Sequence, residues 1–258
     1  MIAMPGKPPI GKPDLERLRV RFGKDGRLAY LGHLEVINTI ERSVRRAGLP
    51  FSVGNGFARR MRIQFSQALP VGAASSCEYY DLYLTQHVEP TQALAALAAA
   101  TPLALAPTQA AYVAGRVPAL EAWLTRSHWS VRLLGMGDAF EPECLDEALV
   151  RLRERGSIDF MRGDKPRTIG LSNTLVSWEV GSCAEELGMR AIDLSLDTRS
   201  SNLGALRPAV LIDAAFAQEC LASTSLDSMR VLRDDQWHEG EDGGRIDPYD
   251  VSIAVRAR

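Results

Sequence analysis

The chain reads as an α+β protein built from two ferredoxin-like units in tandem, each β-α-β-β-α-β, with antiparallel sheets carrying helices on one face. Three observations lead to that class. Residues 17–22 alternate strictly between basic and apolar side chains, the period of a half-buried strand. From His33 the period lengthens to steps of three and four, the stripe of a core-facing helix. The same order of strand and helix signals then recurs after residue 119. With 258 residues, 46% hydrophobic and 24% charged, the composition is that of an ordinary globular protein large enough for two small domains. The expected divisions are a disordered, Pro- and Gly-rich leader over 1–13, a first unit over 14–118 and a second over 119–238. A flexible acidic, Gly-rich tail over 239–258 completes the chain, in which 251–255 is open to two readings, an edge strand or frayed chain.

In the first unit, Leu18, Val20 and Phe22 form the inward face of the opening strand, and Arg17, Arg19 and Arg21 its outward face. Lys24-Asp25-Gly26-Arg27 supplies turn chemistry. Leu34, Ile37, Ile40, Val44 and Ala47 give the helix its stripe, and Gly48 and Pro50 end it. Phe51–Val53 suits a short strand, Met61–Phe65 a second and Tyr79–Thr85 a third. Pro90 opens an alanine-rich helix that Pro102 stops, and extended chain over Leu103–Val113 closes the unit. In the second unit, strands are expected over His128–Leu134, Ser157–Phe160, Arg167–Val180, Met189–Leu196 and Met229–Leu232. Helices are expected over Glu143–Arg155, with Leu145, Leu149 and Leu152 inward, and from Pro208 to Cys220.

The net charge of −2 conceals an asymmetry. Residues 1–70 hold 13 Lys/Arg and 5 Asp/Glu, a balance of +8, and the remainder carries −10. A basic N-terminal part suits a polyanion such as RNA, or an acidic partner protein. The alternative is that the two parts neutralise each other across a shared interface.

Several chemistries find no motif. There is no G-x-x-x-x-G-K-[ST] loop, and Gly54-Asn55-Gly56 lacks the third glycine and the strand context of a dinucleotide site. The four histidines are dispersed and no G-x-S-x-G elbow occurs. Cys77, Cys144, Cys183 and Cys220 include no Cys-x-x-Cys pair, so reduced thiols are expected, with no metal site and no cofactor. No apolar run approaches the roughly 20 residues that cross a bilayer. The N-terminus lacks the apolar core of a signal peptide, so no membrane association and a cytoplasmic location are expected.

What remains is a basic constellation. Arg19, Arg21 and Arg27 precede the first helix, and Arg42, Arg45 and Arg46 end it. Asn55, Phe57, Arg59, Arg60 and Arg62 follow in the next loop. Arginine pairs bidentately with phosphates and stacks on bases, and an aromatic among arginines suits unpaired bases. These residues are the candidate binding set, with His33 at the strand–helix junction. His33 is the one weak catalytic candidate, through proton transfer or transition-state stabilisation in a metal-independent RNA-processing reaction. A solvated or internally paired basic face is the other reading of the same residues.

The stretch is similar to the radical-SAM-linked proteins, a bacterial family of unknown function. The resemblance rests on Leu18-Arg19 with Phe22, Lys24-Asp25-Gly26-Arg27-Leu28, Gly32-His33-Leu34 and the run from Glu41 to Pro50. Gly56-Phe57, Leu69-Pro70-Val71-Gly72 and Glu78-Tyr79 continue it, with Lys165-Pro166-Arg167 and Arg207-Pro208 as thinner landmarks later on. The chain departs from the family pattern in Gly32, where Ser is usual, in Arg59, where Pro is usual, and in Gly170-Leu171-Ser172, where Asp-Leu-Arg is usual. Members are encoded beside, or fused to, a radical SAM enzyme. The resemblance therefore implies a linked accessory or substrate-recruiting domain, more a binding protein than an enzyme, whose partner carries the cluster. A purely structural interaction protein is the alternative role.

Overall fold

Strand β1 (Glu16–Lys24) buries Leu18, Val20 and Phe22 on one face, as its alternation requires. A single 3-10 turn at Gly26–Tyr30 then leads into helix α1 (His33–Arg46). Glu35 accepts from the Gly32 amide at 2.7 Å and closes the helix start. At the other end Gly48 takes a left-handed φ of +69° that a side chain would resist. The buried residues of α1 are Val36, Ile40, Ser43 and Val44, so the stripe is turned from the expected one and Leu34 stays in solvent.

A computed structural model of the chain describes residues 15–113, 117–202 and 204–250. The leader expected over 1–13 and the edge strand or frayed chain of 251–255 lie outside the described residues. The protein is a mixed α+β fold with a mostly antiparallel sheet. In the first half, β1 is followed by α1, β2 (Ile63–Phe65), β3 (Ala74–Leu84), α2 (Pro90–Ala100) and β4 (Pro107–Tyr112), with spatial order β2-β3-β1-β4 and every neighbour antiparallel. The strand expected at Phe51–Val53 is reduced to two isolated bridges, Phe51 to Leu84 and Val53 to Met61. A short helix α3 (Leu120–Trp123) leads into the second half.

There the elements are β5 (Arg126–Met136), α4 (Pro142–Arg155), β6 (Ser157–Arg162), β7 (Lys165–Gly170), α5 (Leu171–Thr174) and β8 (Leu175–Glu186). They continue as β9 (Met189–Ser201), β10 (Gly204–Ala205), α6 (Pro208–Phe216), β11 (Ser225–Glu239) and β12 (Arg245–Ile246). The order β8-β9-β5-β11 is again antiparallel throughout. Two expectations are corrected here. The run Arg167–Val180 is not one strand, because Leu171 and Thr174 are buried in the turn of α5 that breaks it. Strands β6 and β7 pair only with each other, as a separate two-stranded hairpin.

The two halves do not form two sheets. Because β2 pairs with β3 only at Tyr80–Leu82, the opening of β3 is free, and β11 pairs there in parallel through Leu232 with Ala74 and Arg233 with Ser75. One ten-stranded sheet results. Helices α1 and α2 cover one core of the sheet, packing on Leu18, Val20, Leu82 and Leu84. Helices α4 and α6 cover another, packing on Trp129, Val131, Leu194 and Leu196.

The outward face of β1 is not in water either. Val117, Leu120, Trp123 and Leu124 pack over Cys77 and Tyr79, and Ile246 and Tyr249 join them. The expected loose tail is thus bound to the body as far as Asp250. Arg17 and Arg19 are buried beneath this cover and share Asp81, which lies opposite Arg19 in the β1–β3 register. Arg19 Nε and Nη2 donate to the two Asp81 oxygens at 2.7 and 2.9 Å, and Arg17 Nε donates to Oδ2 at 2.8 Å. The remaining donors reach the carbonyls of Val117, Pro118 and Pro248, and the Arg19 guanidinium lies 5.1 Å from the Trp123 ring centroid. Arg19 is therefore a core residue, which corrects its place in the candidate binding set.

Removing the shared carboxylate leaves two buried guanidiniums without a counter-charge. Asp81→Ala should lower the unfolding free energy by about 3–5 kcal/mol, read from urea denaturation. A loss no larger than that of an exposed ion pair would show that Asp81 does not hold this layer.

Candidate functional site

The chain from Ser52 to Arg62 folds back on itself as a projecting loop. Arg62 N–H donates to Ser52 O at 2.8 Å, Gly54 N–H to Arg60 O at 2.8 Å and Arg59 N–H to Gly56 O at 3.0 Å. Arg59 holds a φ of +41°, a left-handed conformation uncommon for a residue with a side chain. At the tip Phe57 is fully exposed, with Asn55, Arg59, Arg60 and Arg62 exposed around it. A bare aromatic ring in water is unfavourable unless something else covers it.

The end of α1 lies against the base of this loop. The Arg45 guanidinium sits 5.9 Å from the ring centroid of Phe51, which begins the loop's ascending arm. Arg45 also pairs with Glu41 at 3.2 Å, one helical turn away and partly in solvent. Arg42 donates to the Asn38 carbonyl at 3.2 Å, and Arg46 is exposed beside it. Among the described residues, Arg42, Arg46, Arg59, Arg60 and Arg62 have no carboxylate partner. Seven of the residues singled out in the sequence thus lie on two neighbouring elements that meet at Arg45 and Phe51: Arg42, Arg45 and Arg46 on the end of α1, and Phe57, Arg59, Arg60 and Arg62 in the loop with Asn55.

The others lie elsewhere. Arg19 is in the core, Arg21 is half-buried and donates to Ser76 O at 3.1 Å, and Arg27 is exposed in the 3-10 turn before α1. His33 opens α1, so the length of the helix, about 20 Å at 1.5 Å per residue, separates it from the terminal arginines. It lines a small pocket with Phe22, Lys24, Phe65, Ser66 and Glu78, its ring edge-on to Phe65 at 6.0 Å between centroids. Burial there, above all, holds its pKa below the ordinary 6.5. The carboxylates of Glu78 and Glu121 oppose that shift, and Lys24 and Arg233 add to it. His33 is thus half-buried in this pocket, at the other end of α1 from Arg45 and Arg46.

One constellation escaped the sequence. On the open face of the second half, His128 Nδ1 lies 2.7 Å from Asp197 Oδ1 and His128 Nε2 lies 3.5 Å from Ser195 Oγ. Ser195 and Asp197 stand two apart on β9, and Ser195 lies opposite Ser130 of β5. Strand order alone brings them together, across 67 residues of sequence. The order resembles a nucleophile triad, but β9 is paired on both sides, so its amides are spent in the ladder and none is left to stabilise an oxyanion. Among the described residues no group of three His, Cys, Asp or Glu is placed to hold a metal ion, and no helix is long and apolar enough to cross a membrane.

A family model described as an uncharacterized protein conserved in bacteria (DUF2344) matches residues 17–208. No curated protein matches the chain. Among solved structures, one described as a crystal structure of a Cbf5-Nop10-Gar1 complex is similar at a TM-score of 0.44 and 10% identity, over 87% of this chain. The chain spans 50% of that structure's chain, and a likeness of this degree carries no functional argument.

The depressed pKa of His33 has a signed consequence. The unfolded chain takes up a proton near pH 6.5 and the folded one only at lower pH, so this group's contribution is present above 6.5 and is lost as pH falls through the folded value. Urea midpoints measured between pH 8 and 5 should decline less steeply in His33→Gln than in the native chain. An imidazole titration by NMR with its midpoint at or above 6.5 would contradict the burial of His33.

Proposed function

The chain belongs to this uncharacterized bacterial family, and on that footing we propose that it is an accessory, substrate-recruiting binding protein acting with a separately encoded radical SAM enzyme in the cytoplasm. Its ligand in this reading is single-stranded RNA, held on the loop that carries Phe57 and on the adjoining end of α1. The observation that carries the proposal is a fully exposed Phe57 set among arginines that have no carboxylate partner among the described residues. Guanidiniums supply phosphate contacts and the ring supplies a face on which an unpaired base stacks, each such stack contributing about 1–3 kcal/mol.

The partner is proposed from the resemblance to the radical-SAM-linked proteins. Cys77, Cys144, Cys183 and Cys220 are too far apart in sequence for a Cys-x-x-x-Cys-x-x-Cys run, so the cluster belongs to the partner. Tyr30, Leu34 and Val71 are exposed apolar side chains around the entry to α1. Gly72, beside Val71, donates its amide to Ala29 O, beside Tyr30. This second face is where the partner enzyme would dock, at the end of α1 opposite the RNA surface. We also propose that both halves are ferredoxin-like units, supported by their shared antiparallel order, second-third-first-fourth. The β6–β7 hairpin would then be an insertion in the second unit. The RNA-processing alternative built on His33 draws less support. Of the exposed arginines in this set without a carboxylate partner among the described residues, Arg27 alone lies at its end of α1, and Arg42, Arg46, Arg59, Arg60 and Arg62 lie toward the other end or in the Phe57 loop.

Filter retention of single-stranded RNA should fall with salt along a log–log slope of about −3 to −4, as expected for some five phosphate contacts to a single strand. Reversing Arg45, Arg46, Arg59 and Arg60 to Glu should abolish retention, and Phe57→Ala should weaken it with the slope unchanged. Absence of retention at low salt would refute the RNA part. Separately, a radical SAM enzyme encoded beside the gene should co-purify with the chain, and Leu34→Glu should release it while RNA retention persists. Failure of the native chain to hold that enzyme would remove the partner.

A further inference from the structure

Where the two halves meet, on the side of the sheet that bears the helices, lies a cleft of about 310 Å³. Its floor comes from β5, β9 and β11. One wall is the Gln67–Pro70 segment ahead of β3, and the other is the β6–β7 hairpin with the start of α6. None of the loop or helix residues assigned above to RNA lines it.

The cationic groups of the cleft differ in kind. Arg233 at its base is buried and already neutralised by Glu78. Arg162, the last residue of β6, and Arg207, just ahead of α6, stand exposed at the rim. Neither has an ion-pair partner among the described residues. Both line the same cleft. Packing around the Arg207 side chain, and then the like charge of Arg162, lower the pKa of Arg207. Glu121 also lines the cleft but makes no ion pair with either. Two like charges brought together from different elements without a counter-ion form a place for an anion from outside.

A second feature points the same way. Ser127 is 8% exposed and lines the cleft, and its hydroxyl has no partner among the described residues. The neighbouring hydroxyls are engaged. Trp129 Nε1 donates to Thr198 Oγ1 at 2.9 Å, and Ser200 Oγ reaches Leu124 O and Thr125 O at 3.4 Å. Ser127 is left to serve whatever fills the space. Phe160 and Val210 give the cleft an apolar side.

We infer that this cleft is the binding site for a small organic phosphate, its phosphate held between Arg162 and Arg207 and its organic body lying over Phe160. Two guanidiniums at one pole favour a group carrying nearly two negative charges, as a phosphomonoester does, over a single carboxylate. The volume lies at the lower end of small-molecule sites and exceeds what inorganic phosphate alone would need. The site stands independently of RNA binding by the Phe57 loop.

Calorimetric titration of the full chain tests this with uridine 5′-monophosphate, ribose 5-phosphate and inorganic phosphate as probes. At least one organic phosphate should bind more tightly than inorganic phosphate. Arg162→Gln and Arg207→Gln should each weaken it about tenfold or more, the effect expected for a charge-assisted hydrogen bond. Phe160→Ala should weaken the organic probe while leaving inorganic phosphate unchanged, and Arg59→Glu/Arg60→Glu should alter neither. In the native chain, the same probe should protect Arg162 and Arg207 from phenylglyoxal, read by peptide mass, a measurement that needs no variant to fold. Absence of binding by all three probes at millimolar concentration would overturn the site. So would affinities unmoved by both arginine substitutions together with no protection of either arginine.

Discussion

The ion pair between Glu78 and Arg233 is the joint on which the arrangement of the protein depends. Arg233 Nε and Nη2 reach Glu78 Oε1 at 3.0 and 2.6 Å, Nη2 reaches Oε2 at 2.7 Å, and Nη2 also donates to Gln67 O at 3.0 Å. The pair ties β11 of the second half to β3 of the first where their backbone ladder has only two registered pairs. Around it Ser75 Oγ donates to Arg233 O, Ser76 Oγ to Asp234 O and Gln236 Nε2 to Cys77 O, so side chains continue what the ladder begins. A buried pair of this kind recovers its desolvation cost in proportion to how many of its remaining donors and acceptors are met, and here Gln67 O serves Arg233 Nη2 and Ser66 Oγ serves Glu78 Oε2.

That one carboxylate has several cations to answer. Lys24 is buried beside it, its pKa lowered first by burial, with Glu78 raising it and Arg233 lowering it again. Asp81 in turn serves both Arg17 and Arg19. Two groups stand out among the basic residues of the first 70. Arg17, Arg19 and Lys24 are held inside near carboxylates of β3, and six arginines lie at the end of α1 and in the Phe57 loop, with Arg21 and Arg27 outside both groups. The charge balance of the sequence contains both and separates neither.

This division explains what could be read from the sequence. The β1 alternation, the α1 period and the stops at Gly48 and Pro50 are local signals, and the elements formed where they predicted. The exposed loop was legible because Phe57 and its arginines are neighbours in the chain. Arg19 was misplaced because the outward face of a strand looks alike whether it meets water or a second layer. The layer comes from residues 117–124 and 246–249, about 100 and 230 positions away. The cleft was out of reach for the same reason, since Ser127, Arg162 and Arg207 lie 35 and 45 residues apart along the chain and only the folding of β5, β6 and α6 places them around one space. The β6–β7 hairpin was hidden because an alternating run through Arg167–Val180 carries no mark of the single helical turn that interrupts it.

The unbroken sheet has a mechanical consequence. Two lobes joined by a loop can swing shut over a ligand, and selectivity then comes from the energy of closure. Here the floor between the lobes is continuous β-ladder reinforced by a buried ion pair, so a swing would shear hydrogen bonds along β11 and β3. The β6–β7 hairpin is the wall of the cleft that has no ladder to the main sheet among the described residues, and it is held instead by the packing of Ile158 and Ile169 into the core beneath α4 and α6. A ligand at the seam therefore meets side-chain packing on one wall and β-ladder on the floor, so its fit depends on shape already present in the fold.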